Sequence, residues 1–385
     1  MPVPSIKVRT YLSSLSSGAP NSPDPEVWRT LEGHGAITGT PSQPEMTPVG
    51  RHVLRELEAR ASRTDTLSLD VVAEELTRVL QDIDHVAKTA EYFLAELGPV
   101  TPPEAIALLR PVVVSLANRR ETPEELTREF SDVWGTVEVM GGEASDRLLA
   151  AELLLASSAS IEKVFAPMML TAERIRAKLG AGQPSVSIAA ILHLGPGAEA
   201  RVPFDAFLEL REEGGRDEAA ALLAAFLPDP SEAARRRKVL ATALGGPSQD
   251  ATLAASYLIA SGANETQAIP RVRAISQGLV DAFASPLTPA AVLASRTTLD
   301  PGELLNWLEK ATEIVRARRL APTVPELSAL GLAIVHGLPD SEFTDASGSR
   351  PVGATRVSLP ALVALHAWIY RPLVSSPEES PAAAG

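Results

Sequence analysis

Hydrophobic residues recur along the chain in short, almost uncharged blocks that share a pair of small residues followed by larger apolar ones. The first positions of successive blocks lie 39, 31, 34, 36 and 38 residues apart, and Gly, Pro or Asp ends each block. A recurrence of this length is typical of stacked supersecondary units. The blocks begin at Ala150, Ala189, Ala220, Ala254, Ala290 and, in a weaker copy, Ser328.

A second, usually longer segment follows each block and has apolar residues at helical spacing on one side only. These amphipathic segments predict helices at 161–179, 231–244, 266–283 and 302–320. The chain is therefore predicted to be a series of helix pairs. A short apolar helix has no polar face to present to water, so neighbouring pairs have to cover it.

Helix starts follow one pattern: a side chain that can cap the helix, then Pro, then Glu within three residues. The capping oxygen accepts from N–H groups that have no partner in the helix, and Glu complements the helix dipole. The 32 prolines therefore mark helix boundaries. Four such starts begin at Thr101, Thr122, Asp229 and Asp300.

The array resembles an α-solenoid of the broad TPR or HEAT type, although the Trp-Leu-Gly-Tyr signature of TPR repeats is missing and the period varies. The predicted fold is all-α: a helix-hairpin solenoid of the right-handed type behind a small N-terminal segment. The predicted organisation is an N-terminal segment at 1–62, connecting helices at 63–99, the array at 100–372 and a tail at 373–385. Residues 358–370 are predicted to end the array.

Residues 27–62 resemble the closing half of a winged helix. A helix ends in Leu31 and is followed by Gly35-Ala36-Ile37, a short wing, and Thr47-Pro48-Val49-Gly50-Arg51 before a last helix. The segment departs from that family because 13–25 is too rich in Ser, Pro and Gly for the usual second helix. The 25–31 segment is also less basic than a typical recognition helix.

Composition restricts the classes of function. The net charge is −13, which disfavours non-specific binding of phosphate backbones by the whole surface. The absence of cysteine excludes disulfides, thiolate catalysis and Cys-based metal sites. Residues 1–15 lack the apolar core of a signal peptide, and no apolar run is long enough to span a membrane. We therefore expect a soluble, cytoplasmic, acidic protein.

Motifs that could carry chemistry have simpler structural interpretations, so we predict no catalytic residues, no metal site and no cofactor. The glycines from Gly33 to Gly39 fit a turn better than a phosphate loop, because a helix precedes them. The six histidines are scattered, and Asp82-Ile83-Asp84-His85 cannot converge on one ion from a single helix. His193 and His336 end short helices, where they would complement the dipole. The acidic residues at 340–345 are too short a run for a calcium loop.

Basic clusters recur in the second helices of successive units. If the units stack in register, these residues line one face and would suit an acidic peptide, a nucleic acid or a phosphorylated partner. The alternative is that they provide solubility and pair with the many carboxylates of the chain. The clusters comprise Arg174, Arg176, Lys178, Arg235, Arg236, Arg237, Lys238, Arg271, Arg273, Arg316, Arg318 and Arg319.

Three hypotheses of function follow. The first is a non-enzymatic interaction scaffold or adaptor that presents a helical-repeat groove to a protein partner. The second is a nucleic-acid-linked regulator whose N-terminal segment is a degenerate winged helix. The third is an enzyme with a site in the concave face of the array. The partner and the oligomeric state are left open.

Overall fold

A computed structural model describes residues 5–18, 22, 24–33, 35–47, 50, 53–54, 69–101, 106–117, 122–157, 161–180, 182–196, 203–214, 216–227, 229–295, 301–321, 323–337 and 358–374. These residues form 17 α-helices, a 3₁₀ turn at Gly98–Val100 and one two-stranded sheet, which confirms the all-α class with a small N-terminal segment. None of the described helices is both long and apolar enough to cross a lipid bilayer. The chain divides into two compact units, Met1–His85 and Val86–Gly385.

The N-terminal unit contains α1 (Ser5–Ser16), α2 (Pro25–Gly33) and a hairpin of β1 (Ile37–Thr40) and β2 (Gln43–Met46). The strands pair antiparallel, with Ile37 opposite Met46. The apolar sides of the helices and the hairpin form a small core, whose buried members include Val8, Leu12, Val27, Trp28, Leu31 and Ile37.

Hydrogen bonds hold α2, the hairpin and the chain beyond it in a defined junction. The N–H of Ala36 donates to the carbonyl of Leu31 across Gly35, whose φ of +64° suits a residue without Cβ. The Thr47 hydroxyl donates to the carbonyl of Gly35 at 2.6 Å and accepts from the N–H of Gly50 at 3.2 Å. The turn that was predicted for the glycine-rich segment from Gly33 to Gly39 is confirmed, and it leads into the hairpin.

The second unit alternates longer and shorter helices, preceded by α3 (Leu69–Leu97), in which the boundary between the units lies. The outer helices are α5 (Pro123–Glu138), α7 (Ile161–Leu179), α9 (Phe204–Glu212), α11 (Pro230–Leu244), α13 (Glu265–Leu279) and α15 (Pro301–Ala317). The inner helices are α4 (Ile106–Ala117), α6 (Ala144–Ala156), α8 (Val186–Leu194), α10 (Asp217–Phe226), α12 (Gln249–Ala260), α14 (Leu287–Ala294) and α16 (Val324–Gly337). The last helix is α17 (Leu359–Val374).

Burial separates the two kinds of helix as the pattern predicts. Every residue from Val186 to Leu192 in α8 is buried, and α10 and α12 are also buried on all sides. In α15 the buried residues Leu304, Leu308, Ala311 and Val315 share one face. The inner helices therefore form the core, and the outer helices cover it with one side each.

The inner helices form a closed ring. Each of them packs on the next in chain order from α4 to α16, and α16 packs back on α4. Each outer helix from α5 to α15 packs on the inner helix that follows it. The side-by-side stacking of hairpins is thus confirmed. The closure of the ring was not predicted, because the period of a repeat does not fix the rotation between successive units.

An ion pair lies where the ring closes. Arg110 of α4 meets Glu326 of α16 at 3.6 Å, with both side chains largely covered. Glu326 also accepts from the N–H of Thr323 at 3.2 Å and from its hydroxyl at 2.7 Å. This carboxylate therefore caps the first turn of α16 and orients it against α4.

Helix α17 lies inside the ring. It packs against α6, α10, α12, α14 and α16, so it touches inner helices from opposite parts of the ring. All residues from Pro360 to Ala367 are buried. Although residues 358–370 were expected to end the array, a helix that is apolar on all sides is covered far better at the centre of the ring than at an exposed end.

Carboxylates of two inner helices cap the next inner helix. Asp146 of α6 accepts from the N–H groups of Ser185, Val186 and Ser187 at 2.8, 2.8 and 2.9 Å, and from the Ser187 hydroxyl. Asp250 of α12 likewise accepts from the N–H groups at the start of α14, at 2.8 and 2.9 Å. Buried helix ends require such acceptors, because water does not reach their unpaired N–H groups.

The predicted helix starts agree with the structure where it describes them. Thr122 and Glu125 form a reciprocal capping box on α5. The Asp229 side chain accepts from the N–H groups of Ser231 and Glu232 at the start of α11. The other two starts, at Thr101 and Asp300, include residues outside the described ranges.

We predict that Asp146→Ala lowers the free energy of unfolding by about 3 kcal/mol, because it leaves several buried N–H groups without an acceptor. Asp132→Ala serves as the matched control, since Asp132 is exposed on α5 and its replacement should change stability by no more than about 0.5 kcal/mol. Urea unfolding followed by circular dichroism compares the two variants. Equal midpoints would show that the cap between neighbouring helices is dispensable.

Candidate functional site

The predicted basic residues lie on four outer helices, α7, α11, α13 and α15, or directly after the last of them. Helices α11, α13 and α15 pack successively against one another, so their clusters belong to neighbouring parts of the outer layer. Most of these side chains have partners within the chain.

Three arginines cap the ends of preceding outer helices. Arg176 of α7 donates to the carbonyl of Met140, just beyond α5, at 2.9 Å. Arg237 of α11 donates to Leu210 of α9 at 3.3 Å, and Arg273 of α13 donates to Ala243 of α11. The last carbonyls of a helix lack partners within it and carry the negative end of the dipole, so a guanidinium is a suitable cap.

Burial distinguishes Arg237 from the other two. Its side chain is almost fully covered, and desolvation lowers the pKa of its guanidinium below the usual value, partly offset by the charge of Glu213. Arg271 also reaches a helix end, donating to the carbonyl of Ala294 in α14 at 3.4 Å. These arginines serve the packing of neighbouring units.

Other members of the clusters form ion pairs or stack on a ring. Arg235 pairs with Glu232 of its own helix at 2.6 Å, and Arg236 pairs with Glu265 of α13 at 2.6 Å. Arg318 reaches Glu91 of α3 at 3.0 Å. The guanidinium carbon of Arg174 lies 4.2 Å from the ring centre of Phe204 at the start of α9.

The side chains of four cations are exposed and have no hydrogen bond, ion pair or ring contact with the described part of the chain. Lys178 ends α7, Lys238 lies on α11, and Arg316 and Arg319 lie at the end of α15. Arg316 also lines a cavity of about 370 Å³ between α13 and α15. These four are the members of the predicted basic set whose side chains have no partner among the described residues.

The histidines occupy separate environments. His34, His52 and the acidic residues at 340–345 lie outside the described residues, and His85 lies on α3. His193 and His336 fall in the last turns of α8 and α16, where the sequence placed them. Among the described residues, no group of three or more His, Asp or Glu is arranged to hold a metal ion.

A buried polar pair joins α17 to the ring. The Nε2 atom of His366 hydrogen-bonds to a carboxylate oxygen of Glu152 on α6, and both side chains are at least nine-tenths covered. A carboxylate in this environment is costly unless it is paired. The pair therefore fixes both the rotation and the axial position of α17 against α6.

This pair was missed in the sequence, although a signal for it exists. Glu152 is the third residue of its block, where the other full blocks have Ile191, Leu222, Ser256 and Val292. A charged residue at a position that is otherwise uncharged implies a buried partner. The identity of this partner could not be inferred, because His366 lies 214 residues from Glu152, in a segment that was assigned to the end of the array.

A pocket of about 530 Å³, which we call the His193 pocket, lies along α7 next to the end of α8. Its lining is mainly apolar, with a few polar groups, as in many small-molecule sites. The residues that line it are Pro167, Leu170, Thr171, Glu173, Arg174, Ala177 and His193.

The imidazole of His193 forms part of the wall of this pocket. Its Nε2 atom lies 2.9 Å from the hydroxyl of Thr171, which is itself buried. Burial lowers the pKa of His193 below its usual value, and a hydrogen bond to the carbonyl of Pro167 acts in the opposite direction. At neutral pH the ring is therefore uncharged and contributes a polar but neutral group.

Comparisons with protein-family models, with curated proteins and with solved structures find no match for this chain.

We predict that Glu152 and His366 are strongly coupled. Glu152→Leu or His366→Leu alone should lower the free energy of unfolding by about 3 kcal/mol, because each removes a hydrogen bond from a buried polar side chain. The double variant should recover most of this loss, since the pair is then replaced by apolar side chains of similar volume. Urea unfolding of all four proteins gives the coupling energy. Additivity within about 0.5 kcal/mol would contradict a direct pair.

Proposed function

We propose that this protein is a non-enzymatic interaction scaffold that binds a protein partner on the outer layer of its helical ring. The observation that carries the proposal is the position of α17. It covers the inward faces of several inner helices, so the groove expected on the concave side is already filled by the chain itself.

Exposed apolar side chains support the outer layer as the binding surface. The large hydrophobic residues that are more than half exposed all lie on outer helices or directly after them: Val139, Leu170, Val239 and Val280, among the described residues. Apolar groups with polar surroundings are the usual anchors of protein interfaces.

Helices α11 and α13 are the part of the outer layer that we assign to the partner. They pack together, and each contributes an exposed valine, Val239 on α11 and Val280 directly after α13. The ammonium group of Lys238, which is exposed beside Val239, has no partner among the described residues. A partner segment with apolar and acidic side chains would complement this surface.

The second candidate is a regulator linked to nucleic acid. The observation that favours it is the junction in which the Thr47 hydroxyl joins Gly35 to Gly50, because this joins a helix, a hairpin and a following segment as in a winged helix. Two features oppose it. The exposed charges of α2 are Glu26, Arg29 and Glu32, and the hairpin tip from Thr38 to Gln43 has no cation. Phosphate contacts require cations at such positions.

We predict that Val239→Ser combined with Val280→Ser lowers the recovery of the protein partner about tenfold in quantitative affinity capture, because truncated anchors lose buried apolar contact. Both sites are exposed, so the fold should be unchanged. Val139→Ser is the matched control, since Val139 is 71% exposed but follows α5. It should leave recovery intact.

The same proteins distinguish the two candidates. Equal recovery by the double variant and by the control would contradict a binding surface on α11 and α13. Fluorescence anisotropy with a mixed-sequence DNA duplex provides the other arm. Binding at about 50 mM salt that weakens steeply as salt rises would favour the regulator, whereas the scaffold hypothesis expects no such binding.

A further inference from the structure

In the part of the chain that the structure describes, the His193 pocket lies at a local opening in the outer layer. Helices α9, α11, α13 and α15 pack on one another in succession, whereas the described residues of α7 and α9 approach each other at few points. Arg174 over the ring of Phe204 is one of these approaches. The side of α7 that faces the opening is therefore not fully covered by its neighbour.

Helix geometry determines which side chains are central to the pocket. In an α-helix Arg174 lies only about 20° around the axis from Pro167, whereas Glu173 lies about 120° from it. Leu170 and Ala177 lie along the same stripe as Arg174. The centre of the pocket wall thus combines an apolar strip with one guanidinium, and the carboxylate of Glu173 lies at its margin.

The contact of Arg174 with Phe204 prepares it to bind an anion. The ring lies against the guanidinium and restricts its movement. The described residues supply no hydrogen-bond acceptor for its N–H groups, which form a planar fork that matches a carboxylate. The neutral imidazole of His193 adds a second polar group without adding charge.

Apolar surface in the pocket is left exposed. Leu170 is 58% exposed although it lies between Pro167 and Arg174 in the strip. A ligand that covered this leucine would gain hydrophobic stabilisation in proportion to the area removed from water. The pocket volume lies within the range of ordinary small-molecule sites.

We propose that the His193 pocket binds a small carboxylic acid with an apolar body. The carboxylate pairs with Arg174, and the apolar part lies over Pro167, Leu170 and Ala177, with His193 and Thr171 at the end of the pocket. This site is separate from the surface of α11 and α13 and does not depend on the proposed scaffold function. The carboxylate belongs either to a free acid or to the C-terminus of a peptide.

The test uses the full chain and 4-phenylbutyrate as the probe, followed by calorimetry and by the NMR signals of the His193 ring. Binding should be saturable in the millimolar range or below, and His193 signals should shift. The uncharged 4-phenylbutanol and the cationic 4-phenylbutylamine should bind about tenfold more weakly, because they lack the charge-assisted hydrogen bonds.

Variants separate the two parts of the site. Arg174→Gln should remove the preference for the acid over the alcohol, Arg174→Lys should keep part of it, and Leu170→Asp should weaken all three probes. Arg316→Gln is the control, because it removes an exposed cation from a different helix, α15, and should change nothing. Circular dichroism confirms that each variant is folded.

N-acetyl-Leu-Phe and its C-terminal amide then identify the source of the carboxylate. Tighter binding of this peptide than of 4-phenylbutyrate indicates a peptide C-terminus, and the reverse indicates a free acid; both outcomes agree with the proposal. Absence of saturable binding by either acid, equal affinity for the amine, or an unchanged preference in Arg174→Gln would overturn it.

Discussion

The fold depends on one constraint, the need to cover short helices that are apolar on every side. Helix α8 buries all residues from Val186 to Leu192, which no single partner helix could achieve. Two inner neighbours and one outer helix cover three sides of each inner helix from α6 to α16, and α17 packs against five of these helices, α6, α10, α12, α14 and α16. An open array would leave the first and last inner helices partly exposed to water, so closure and the central helix satisfy the same requirement.

Covering the helices in this way creates a second requirement at their ends. The N–H and carbonyl groups that a helix leaves unpaired become buried once the units pack together. In the inner layer, carboxylates accept from these N–H groups: Asp146 and Asp250 each cap the next inner helix. In the outer layer, guanidinium groups donate to the carbonyls: Arg176, Arg237 and Arg273 each cap the end of the preceding outer helix. Polar side chains thus link successive units in both directions.

Local patterns in the sequence predicted the elements well, because helix pairing and capping depend on residues close in the chain. The box at Thr122 and the buried face of α15 are examples. The closure between Arg110 and Glu326 could not be predicted, since it depends on the summed rotation over the six steps between the seven inner helices. The pair of Glu152 and His366 was not predicted either, because the two residues lie far apart in the sequence. The arginine clusters were found, but the partners of Arg176, Arg237, Arg271 and Arg273 are backbone carbonyls, which a sequence pattern does not reveal.

The most direct test of the account is the distance between α4 and α16. The chain has no cysteine, so Arg110→Cys and Glu326→Cys introduce two unique sites for spin labels, and circular dichroism checks that the labelled protein is folded. A closed ring predicts a distance of about 20 Å or less by electron–electron double resonance, because neighbouring helices are only one helix diameter apart. An open array of six steps between inner helices would separate the labels by roughly 50 Å and would contradict the closed ring.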